Sequence, residues 1–262
     1  MALPIVRGSR RAAAPRENRA EDVEVRLLLE GIFQYYGHDF RQYAPGMLRD
    51  GILRRMQDEG VGSISQYQHR VLRDRSCLER LVEELIAEPR DLFDPPGFWL
   101  FLRRKIIPVL RTYPSSRLWV AGCSSGEEAY SLAILLQEEG LGSRAVVYAT
   151  ELDESVLVRA RQGRVSARRL GAASEKYRRA GGKASLQRYG ARSGGGLVLD
   201  GSLSGRIVFA SHSLATDSSF NEFNVLLCRN LLSLFTPPLQ ARVRSLLHQS
   251  MGRFGVLGLG TR

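Results

Sequence analysis

The sequence predicts an α/β fold of Rossmann-like type, preceded by a small all-helical domain. Beyond Ser115, short apolar strands alternate with helical stretches, which is typical of parallel strands joined by crossover helices. Before residue 94, apolar residues recur at three- and four-residue steps, the spacing of amphipathic helices. The peptide DPPG at residues 94–97 separates the two patterns, because its prolines and glycine interrupt regular structure.

The amino-terminal part divides into a tail and a helical domain. Residues 1–20 are rich in arginine, alanine and proline with little apolar periodicity, so we expect a disordered basic tail. Residues 21–93 are predicted to form the helical domain with three helices. Their apolar residues are Val23, Leu27, Leu28, Ile32 and Tyr35 in the first, Met47, Leu48, Ile52, Leu53 and Met56 in the second, and Leu78, Leu81, Val82, Leu85 and Ile86 in the third.

The carboxy-terminal part begins with a predicted linker helix over residues 94–114, whose interior contains Pro108. Residues 115–262 form the predicted α/β domain, with an insertion at about 164–203. The insertion is rich in arginine, glycine and serine, a composition that does not clearly predict strands. Strands are expected over 118–122, 146–149, 206–210, 224–228 and 255–259, and helices over 126–136, 154–162 and 237–251.

Composition narrows the class of protein. With 262 residues and 44% apolar content, the chain can form the core of a globular enzyme. Every apolar run is broken within about ten positions, so no transmembrane segment is predicted. The three cysteines and four histidines lack disulfide or metal-ligand spacing, so we expect a cytoplasmic protein without a metal. The net charge of +11 favours acidic partners or phosphates.

The segment with the strongest chemical signal is WVAGCSSGEEAYS at residues 119–131, a strand, a turn of small residues and a helix. Such a turn lets a ligand approach the backbone amides, although a tight structural turn has the same sequence pattern. The next strand ends in Glu151, and an acidic residue there can accept hydrogen bonds from ribose hydroxyls. Together they predict a nucleoside ligand. The turn lacks GxGxxG and GxxxxGK[ST], which favours S-adenosylmethionine over a nicotinamide cofactor or ATP.

Two motifs resemble one family. GCSSGEEAYS at residues 122–131 is similar to GCSTGEEPYS, and FNVLLCRN at 223–230 is similar to FDxIxCRN, both of the CheR-type chemoreceptor methyltransferases. RDGILRRM at 49–56 and GVLGLG at 255–260 follow the same order, so the resemblance runs from about residue 25 to 260. It implies a helical domain followed by an S-adenosylmethionine-dependent methyltransferase domain. The implied reaction is O-methylation of glutamate side chains in acidic cytoplasmic helices of chemoreceptors.

The resemblance also implies the site residues. No single catalytic residue is identified, and the predicted positioning groups lie near Arg229 and Asn230. A basic helix with Arg49, Arg54 and Arg55 is expected to dock the acidic receptor segment. The residues expected to contact the cofactor are Gly122, Ser124, Ser125, Gly126, Glu127, Glu128, Glu151, Ser213, Leu214, Arg229 and Asn230.

Each of these assignments has a purely structural alternative. Glu127 and Glu128 also suit the first turn of any helix, where the helix dipole stabilises carboxylates. Arg229 and Asn230 also suit a strand-end cap, and the basic helix also suits a solvated surface.

Several positions depart from the family pattern. An Asn-x-Thr-x-Phe-Phe-Arg stretch precedes the family's linker helix, and its polar positions are here Ala87, Pro89 and Phe93, with Arg90 nearby. One alternative is therefore a catalytically degenerate binding module of the same family. Another, suggested by charge, is a nucleic-acid methyltransferase, but the basic runs lack interleaved aromatics, so nucleic acid is not the expected partner. The remaining changes are Ser213 for asparagine, Leu234 for tyrosine, and Asn224 and Glu151 for aspartates.

Overall fold

Four helices form the described part of the helical domain. The computed structural model describes residues 16–86 and 91–260. Helix α1 begins at Arg16, inside the predicted disordered tail, because arginine, glutamate and alanine have high helix propensity and extend the amphipathic helix. Residues 1–15 of that predicted tail lie outside the described residues. The helices are α1 (Arg16–Tyr36), α2 (Pro45–Asp58), α3 (Ile64–Arg73) and α4 (Arg75–Ile86).

Within the helical domain, α3 is a helix that the sequence analysis did not predict. Its Ile64, Tyr67 and Val71 are buried at helical spacing. The hydroxyl of Ser63 accepts a hydrogen bond from the Gln66 amide (3.3 Å) and caps the helix. Both signals are present in the sequence, but polar residues fill the other positions and obscure the short apolar stripe.

The linker is a helical rod with a wide turn in its middle. It comprises α5 (Pro96–Phe101), a π-helical turn (Leu102–Ile106) and α6 (Ile107–Leu110), and it is shorter at both ends than predicted. Pro108 has no amide hydrogen and crowds the preceding turn, so the helix widens before it. The departures at Ala87 and Pro89, and the neighbouring Arg90, lie outside the described residues.

The carboxy-terminal domain alternates strands and helices. All five predicted strands and all three predicted helices are present, and their ends differ from the predictions by at most four residues. The elements in chain order are β1 (Ser116–Ala121), α7 (Glu127–Glu138), β2 (Ala145–Glu151), α8 (Glu154–Arg161), β3 (Arg164–Val165), α9 (Ala167–Arg179), β4 (Gly190–Ser193), β5 (Gly196–Leu199), α10 (Gly201–Ser204), β6 (Ile207–Ser211), β7 (Phe223–Cys228), α11 (Pro237–Gln249) and β8 (Met251–Leu259).

Five parallel strands form the central sheet in the order β6-β2-β1-β7-β8. Strand β1 lies in the middle, and Ala121 at its end is in register with Thr150 near the end of β2. The chain crosses from one side of β1 to the other, and ligands of such sheets bind beyond the carboxyl ends of the strands at this switch point. The fold thus places the 122–126 turn next to Glu151.

The helical domain packs against one face of this sheet. Its apolar residues form one core with those of β1, β7 and α11, and this core includes Trp119, Phe223 and Leu226. Helix α7 and the linker cover the opposite face in a second core, which includes Leu118 and Trp99. The two domains are therefore joined by a shared hydrophobic core.

Residues 164–203 form a small subdomain with β structure, which corrects the expectation from their composition. Strands β3, β5 and β4 pair in an antiparallel sheet beside α9. A Cβ atom on Gly190 would lie 2.2 Å from the Val198 oxygen, and one on Gly196 would lie 2.3 Å from the Val165 oxygen. The glycines here permit close approach of neighbouring backbones.

A buried carboxylate joins this subdomain to the linker and α7. Burial alone raises the pKa of Glu138, but hydrogen bonds lower it below its ordinary value overall. The folded protein therefore stabilises the ionised form. The donors are the Tyr177 hydroxyl, the Tyr189 hydroxyl (2.8 Å), the Lys183 amide (3.0 Å) and Arg103 Nη2 (2.5 Å).

We expect Glu138→Gln to lower the free energy of unfolding by about 2–4 kcal/mol near neutral pH, because it weakens several charge-assisted hydrogen bonds at a buried position. The wild-type advantage is present above the pKa of an unfolded glutamate and is lost as pH falls through the lowered pKa of the folded state. Urea unfolding of both proteins between about pH 7 and pH 3 measures this. Glu175→Gln, at an exposed position on α9, is the control. An advantage that persists unchanged in acid would contradict the prediction.

Candidate functional site

The turn after β1 has a backbone conformation that small residues permit. Gly122, Ser124 and Gly126 have positive φ angles of 69°, 47° and 93°. The Gly122 amide donates to the Thr150 oxygen (2.9 Å), which holds the turn against β2. A Cβ atom on Gly122 would lie 2.7 Å from Leu231 Cδ2, so a larger residue would strain the turn and fill the space beside it.

The carboxylate of Glu151 lies across the ends of β1 and β2. One oxygen accepts a hydrogen bond from the Ser124 amide (2.9 Å) and the other from the Leu152 amide (2.7 Å). Glu151 is 4% exposed; burial raises its pKa, and the two amide hydrogen bonds oppose this effect. A carboxylate has about four acceptor positions, so Glu151 retains capacity for the hydroxyls of a ribose.

Behind the turn, Glu128 and Arg229 form a buried ion pair in which each side chain is 6% exposed. Arg229 Nη1 donates to the Glu128 carboxylate (2.6 Å) and to the Asp94 backbone oxygen (2.9 Å). The guanidinium carbon of Arg229 also lies 4.4 Å from the centre of the Phe98 ring. These contacts connect β7, α7 and the linker, so both predicted site residues have a structural role.

Two further predicted site residues are held by neighbours outside the crevice. Glu127 accepts hydrogen bonds from the Ser125 hydroxyl (2.8 Å) and from Arg169 Nη1 (3.1 Å) of the insertion subdomain. Asn230 follows β7 in a left-handed conformation, with φ of 57°. A Cβ atom on Gly260 would lie 1.7 Å from Asn230 Oδ1, so this asparagine is tightly packed against the backbone directly after β8.

The crevice beside Glu151 is narrow. Its volume is about 20 Å³, which is room for about one water molecule. The structure brings four predicted residues together here, Gly122, Glu151, Ser213 and Leu214. The crevice also contains residues that sequence reasoning missed: Asp39, Tyr43, Leu152, His212, Ala215, Leu231 and Phe235.

The helical domain covers the crevice. Tyr43 packs edge-to-face on Phe235, with ring centres 4.9 Å apart. The same segments pair through their backbones, because the Ala44 amide donates to the Leu234 oxygen (2.7 Å) and the Thr236 amide to the Gln42 oxygen (2.9 Å). This cover depends on tertiary packing and has no local sequence signal. A ligand of nucleoside size requires the cover to shift.

A larger cavity adjoins the crevice between the two domains. Its volume is about 570 Å³, and Leu152 and Ser213 line both spaces. His38 of the helical domain lies opposite Asp153, with 3.7 Å between Nε2 and Oδ2. The cavity therefore lies beside the crevice that contains Glu151. The small-residue turn, the buried carboxylate and the adjoining cavity fit the nucleoside part of S-adenosylmethionine.

Comparison with known proteins decides the family. The family model of the CheR methyltransferase SAM-binding domain matches residues 96–262, and that of the CheR methyltransferase all-alpha domain matches residues 24–86. The chain belongs to the CheR methyltransferase family. The fold class and the cofactor predicted from the sequence are confirmed, since residues 96–262 form the CheR domain that binds S-adenosylmethionine.

Individual relatives resemble the chain over both CheR domains. Cher3 of Pseudomonas putida is 40% identical over 244 residues, which cover 93% of this chain and 89% of the relative. A chemotaxis protein methyltransferase of Listeria innocua is 27% identical and covers 86% of this chain and 83% of the relative. Among solved structures, a SAM-dependent methyltransferase from Geobacter sulfurreducens in complex with S-adenosyl-L-homocysteine is 14% identical, with a TM-score of 0.36 over 66% of this chain and 51% of that chain.

Two departures from the CheR pattern have different structural consequences. Phe93, at the place of the family's arginine, is fully buried and packs on Trp99 and Tyr177, with ring centres 5.5 and 5.1 Å away. In this chain the position of the family's arginine is therefore occupied by an apolar side chain that belongs to the hydrophobic core. Asn224 accepts a hydrogen bond from the Arg117 amide (2.9 Å) near the start of β7, at the end of the strand opposite to the candidate site.

The three arginines expected on the CheR docking helix all have acidic partners within the helical domain. Their side chains differ in access, since Arg55 is 16% exposed and Arg54 is 58% exposed. Part of their charge is therefore neutralised internally, and their docking role stays a prediction. The pairs are Arg49 with Glu21, Arg54 with Glu84 (2.7 Å), and Arg55 with Asp58 (3.0 Å) and Glu59 (2.9 Å).

Within residues 16–86 and 91–260, no helix has the length and apolarity needed to cross a bilayer. In the same ranges, no group of three or more His, Cys, Asp or Glu side chains is placed to hold a metal ion.

Proposed function

We propose that this CheR protein transfers the methyl group of S-adenosylmethionine to glutamate side chains in the acidic cytoplasmic helices of chemoreceptors. The observation that carries the proposal is the position of the Glu151 carboxylate, across the ends of two adjacent parallel strands and beside a small-residue turn. This arrangement suits a nucleoside, and the family match supplies the cofactor. A substrate in receptor cytoplasmic helices would place the reaction in the cytoplasm.

Methyl transfer to a carboxylate mainly requires that the protein align the acceptor oxygen with the methyl group. When bound, the sulfonium cofactor supplies an electrophilic methyl group. The acceptor glutamate has a reference pKa of about 4.3, so it is ionised at neutral pH and needs no general base. Holding the carboxylate oxygen and the methyl carbon in line can contribute roughly 7–11 kcal/mol of barrier reduction. We therefore assign no proton-transfer residue.

The roles proposed for this chain's residues follow from that requirement. Glu151 and the 122–126 turn orient the nucleoside. The cover of Tyr43 and Phe235 excludes water once the ligand is seated. Arg229 and Glu128 hold the strand end and the helix start in position from behind. Among the three arginines of the docking helix, Arg54 has the most exposed side chain, at 58%. It is therefore the best placed of the three to contact the receptor.

The test is transfer of labelled methyl groups from S-adenosylmethionine to a cognate receptor. We expect base-labile methyl esters on receptor glutamates, and no label on a matched receptor in which the candidate glutamates are alanine. Binding of S-adenosylhomocysteine, measured in parallel, shows that the enzyme is loaded. Loaded enzyme that labels none of its cognate receptors would exclude the proposal.

A non-catalytic binding module of the same fold is the second candidate. The narrow crevice of about 20 Å³ favours it, as does the apolar Phe93 at a position where the family has arginine. Each hydrogen bond lost to the cofactor weakens binding by about 0.5–1.5 kcal/mol. Calorimetry with S-adenosylhomocysteine separates the two candidates, because tight binding is inconsistent with an unused site.

A further inference from the structure

The contacts described so far serve one end of the cofactor. Glu151 and the crevice beside it suit the nucleoside, but S-adenosylmethionine also has a methionine arm that ends in an ammonium group and a carboxylate. The 122–126 turn leads from that crevice to α7, because Gly122 lines the crevice and Ser125 donates a hydrogen bond to Glu127, the first residue of the helix. An arm that follows the turn therefore ends near the start of α7.

The carboxylate of the arm meets negative charge at the start of α7. Amides at the start of a helix attract anions, but two glutamates occupy this first turn, and two aspartates of the segment before the linker are joined to them through shared cations. Such a cluster repels a further carboxylate unless a cation offers it a donor. The four acidic residues are Glu127, Glu128, Asp91 and Asp94.

Two of the cations among these carboxylates are already engaged. The ammonium group of Lys176 lies 2.8 Å from an Asp91 oxygen and 2.9 Å from an Asp94 oxygen. Arg229 Nη1 donates to the Glu128 carboxylate (2.6 Å) and to the Asp94 backbone oxygen (2.9 Å). An incoming carboxylate must displace one of these contacts before it can bind either cation.

The third cation, Arg169 of α9, has a donor to offer. Its Nε donates to Asp91 (2.7 Å) and its Nη1 to Glu127 Oε1 (3.1 Å). The same Oε1 accepts from the Ser125 hydroxyl (2.8 Å), so a single carboxylate oxygen separates the guanidinium from the cofactor turn. Nη2 is buried and has no hydrogen-bond partner within residues 16–86 and 91–260. A buried charged donor without a partner is unfavourable, and a carboxylate satisfies it well.

The change at Phe93 helps to place Arg169. Where the CheR family has arginine, Phe93 packs on Tyr177 with ring centres 5.1 Å apart, and this contact holds α9 against the segment before the linker. Arg169 lies eight residues before Tyr177 on the same helix and contacts Asp91, two residues before Phe93. The insertion subdomain therefore brings a guanidinium group to the segment in which phenylalanine replaces the family's arginine.

We propose that Arg169 binds the methionine carboxylate of S-adenosylmethionine through Nη2, while Asp91 and Glu127 hold its guanidinium in position. This inference rests on the cofactor of the proposed function but not on the identity of the methyl acceptor. Asp91 holds the guanidinium through Nε, so loss of Glu127 alone leaves the contact in place. S-adenosylhomocysteine has the same carboxylate, whereas 5′-methylthioadenosine has the nucleoside and the sulfur without it.

The test measures the binding of these two ligands to the full chain by calorimetry, without receptor. S-adenosylhomocysteine reports on both ends of the site, and 5′-methylthioadenosine reports on the nucleoside end alone. Arg169→Met removes the guanidinium but keeps an unbranched side chain, and Arg169→Lys keeps a positive charge with a different geometry. Arg168→Met, at the neighbouring exposed position of α9, is the matched control.

We expect Arg169→Met to weaken the binding of S-adenosylhomocysteine by about 30-fold, because one charge-assisted contact is lost, and to leave the affinity for 5′-methylthioadenosine within about threefold of wild type. Arg169→Lys should fall between wild type and Arg169→Met, and Arg168→Met should bind both ligands as wild type does. The methyl ester of S-adenosylhomocysteine has no anionic carboxylate, so its affinity should be nearly the same for wild type and Arg169→Met.

Equal losses for both ligands in the Arg169 variants would overturn the inference, because Arg169 would then only support the fold of the site. Unchanged binding of S-adenosylhomocysteine, or a similar loss in Arg168→Met, would overturn it as well. If Arg169→Met binds neither ligand, the ratio of the two affinities in Arg169→Lys decides. An enzyme that shows the expected ratios but labels no receptor would exclude the proposed function and leave this inference intact.

Discussion

Replacing Glu151 with alanine is expected to lower the affinity for S-adenosylhomocysteine by about 100-fold. Two charge-assisted hydrogen bonds from ribose hydroxyls to this carboxylate contribute about 1.5 kcal/mol or more each, and their sum corresponds to a change of that size. The carboxylate also holds the amides of Ser124 and Leu152, so its loss loosens the turn. Isothermal calorimetry measures the affinity directly.

Two matched variants show whether the lower affinity comes from a lost contact with the ligand or only from the loss of one negative charge. Glu151→Gln keeps the shape but provides only one carbonyl acceptor, so we expect an intermediate loss. Glu127→Ala removes a carboxylate that is held by Ser125 and Arg169, and we expect a change of less than about threefold. An equal loss in the Glu127 and Glu151 variants would argue against a ribose contact, as would retention of wild-type affinity by Glu151→Ala.

The pH dependence of cofactor binding provides an independent check. Burial raises the pKa of Glu151 above its ordinary value. Protonation removes acceptor capacity from the carboxylate, so affinity should be full at neutral pH and fall as pH decreases through the raised pKa. The fall should begin at a higher pH than an exposed glutamate would cause. Glu151→Gln should show no such decrease.

The cofactor side of the site is predictable from the sequence because its parts are local. A turn of small residues after an apolar strand needs left-handed backbone, and Gly122 and Gly126 adopt it. In a parallel sheet of this order, the end of the next strand lies beside that turn, which places Glu151 there. The alternation of strands and helices and the positions of the motifs are therefore sufficient to predict where these residues lie.

The opposite side of the site depends on packing between distant segments. Tyr43 reaches Phe235 only because the helical domain shares a core with the sheet. The partners of the docking-helix arginines follow from the same packing, since Glu84 lies on α4 and approaches Arg54 on α2. Periodicity identifies each helix but not its neighbours, so the sequence alone predicted exposed charges where the fold provides ion pairs.

Breaking the buried pair of Glu128 and Arg229 should strongly destabilise the carboxy-terminal domain. Replacing either residue with an apolar one of similar size, Glu128→Leu or Arg229→Met, is expected to lower the free energy of unfolding by about 3–5 kcal/mol. Each single change leaves the other charge buried without this ion-pair partner, although both side chains are only 6% exposed. Urea unfolding of each variant gives the value.

The double variant determines whether this cost arises from the charges or from the shape of the residues. With both charges removed, no buried charge of this pair is left uncompensated, so the double variant should be more stable than the sum of the single losses predicts by about 2 kcal/mol or more. The exposed pair of Arg41 and Glu30 is the control, because water screens surface pairs and they contribute little to stability. Additive losses at Glu128 and Arg229 would mean that the two side chains stabilise the domain separately, through packing against the linker. In that case, a family member with a different residue at the position of Glu128 could still have arginine at the position of Arg229, and the reverse.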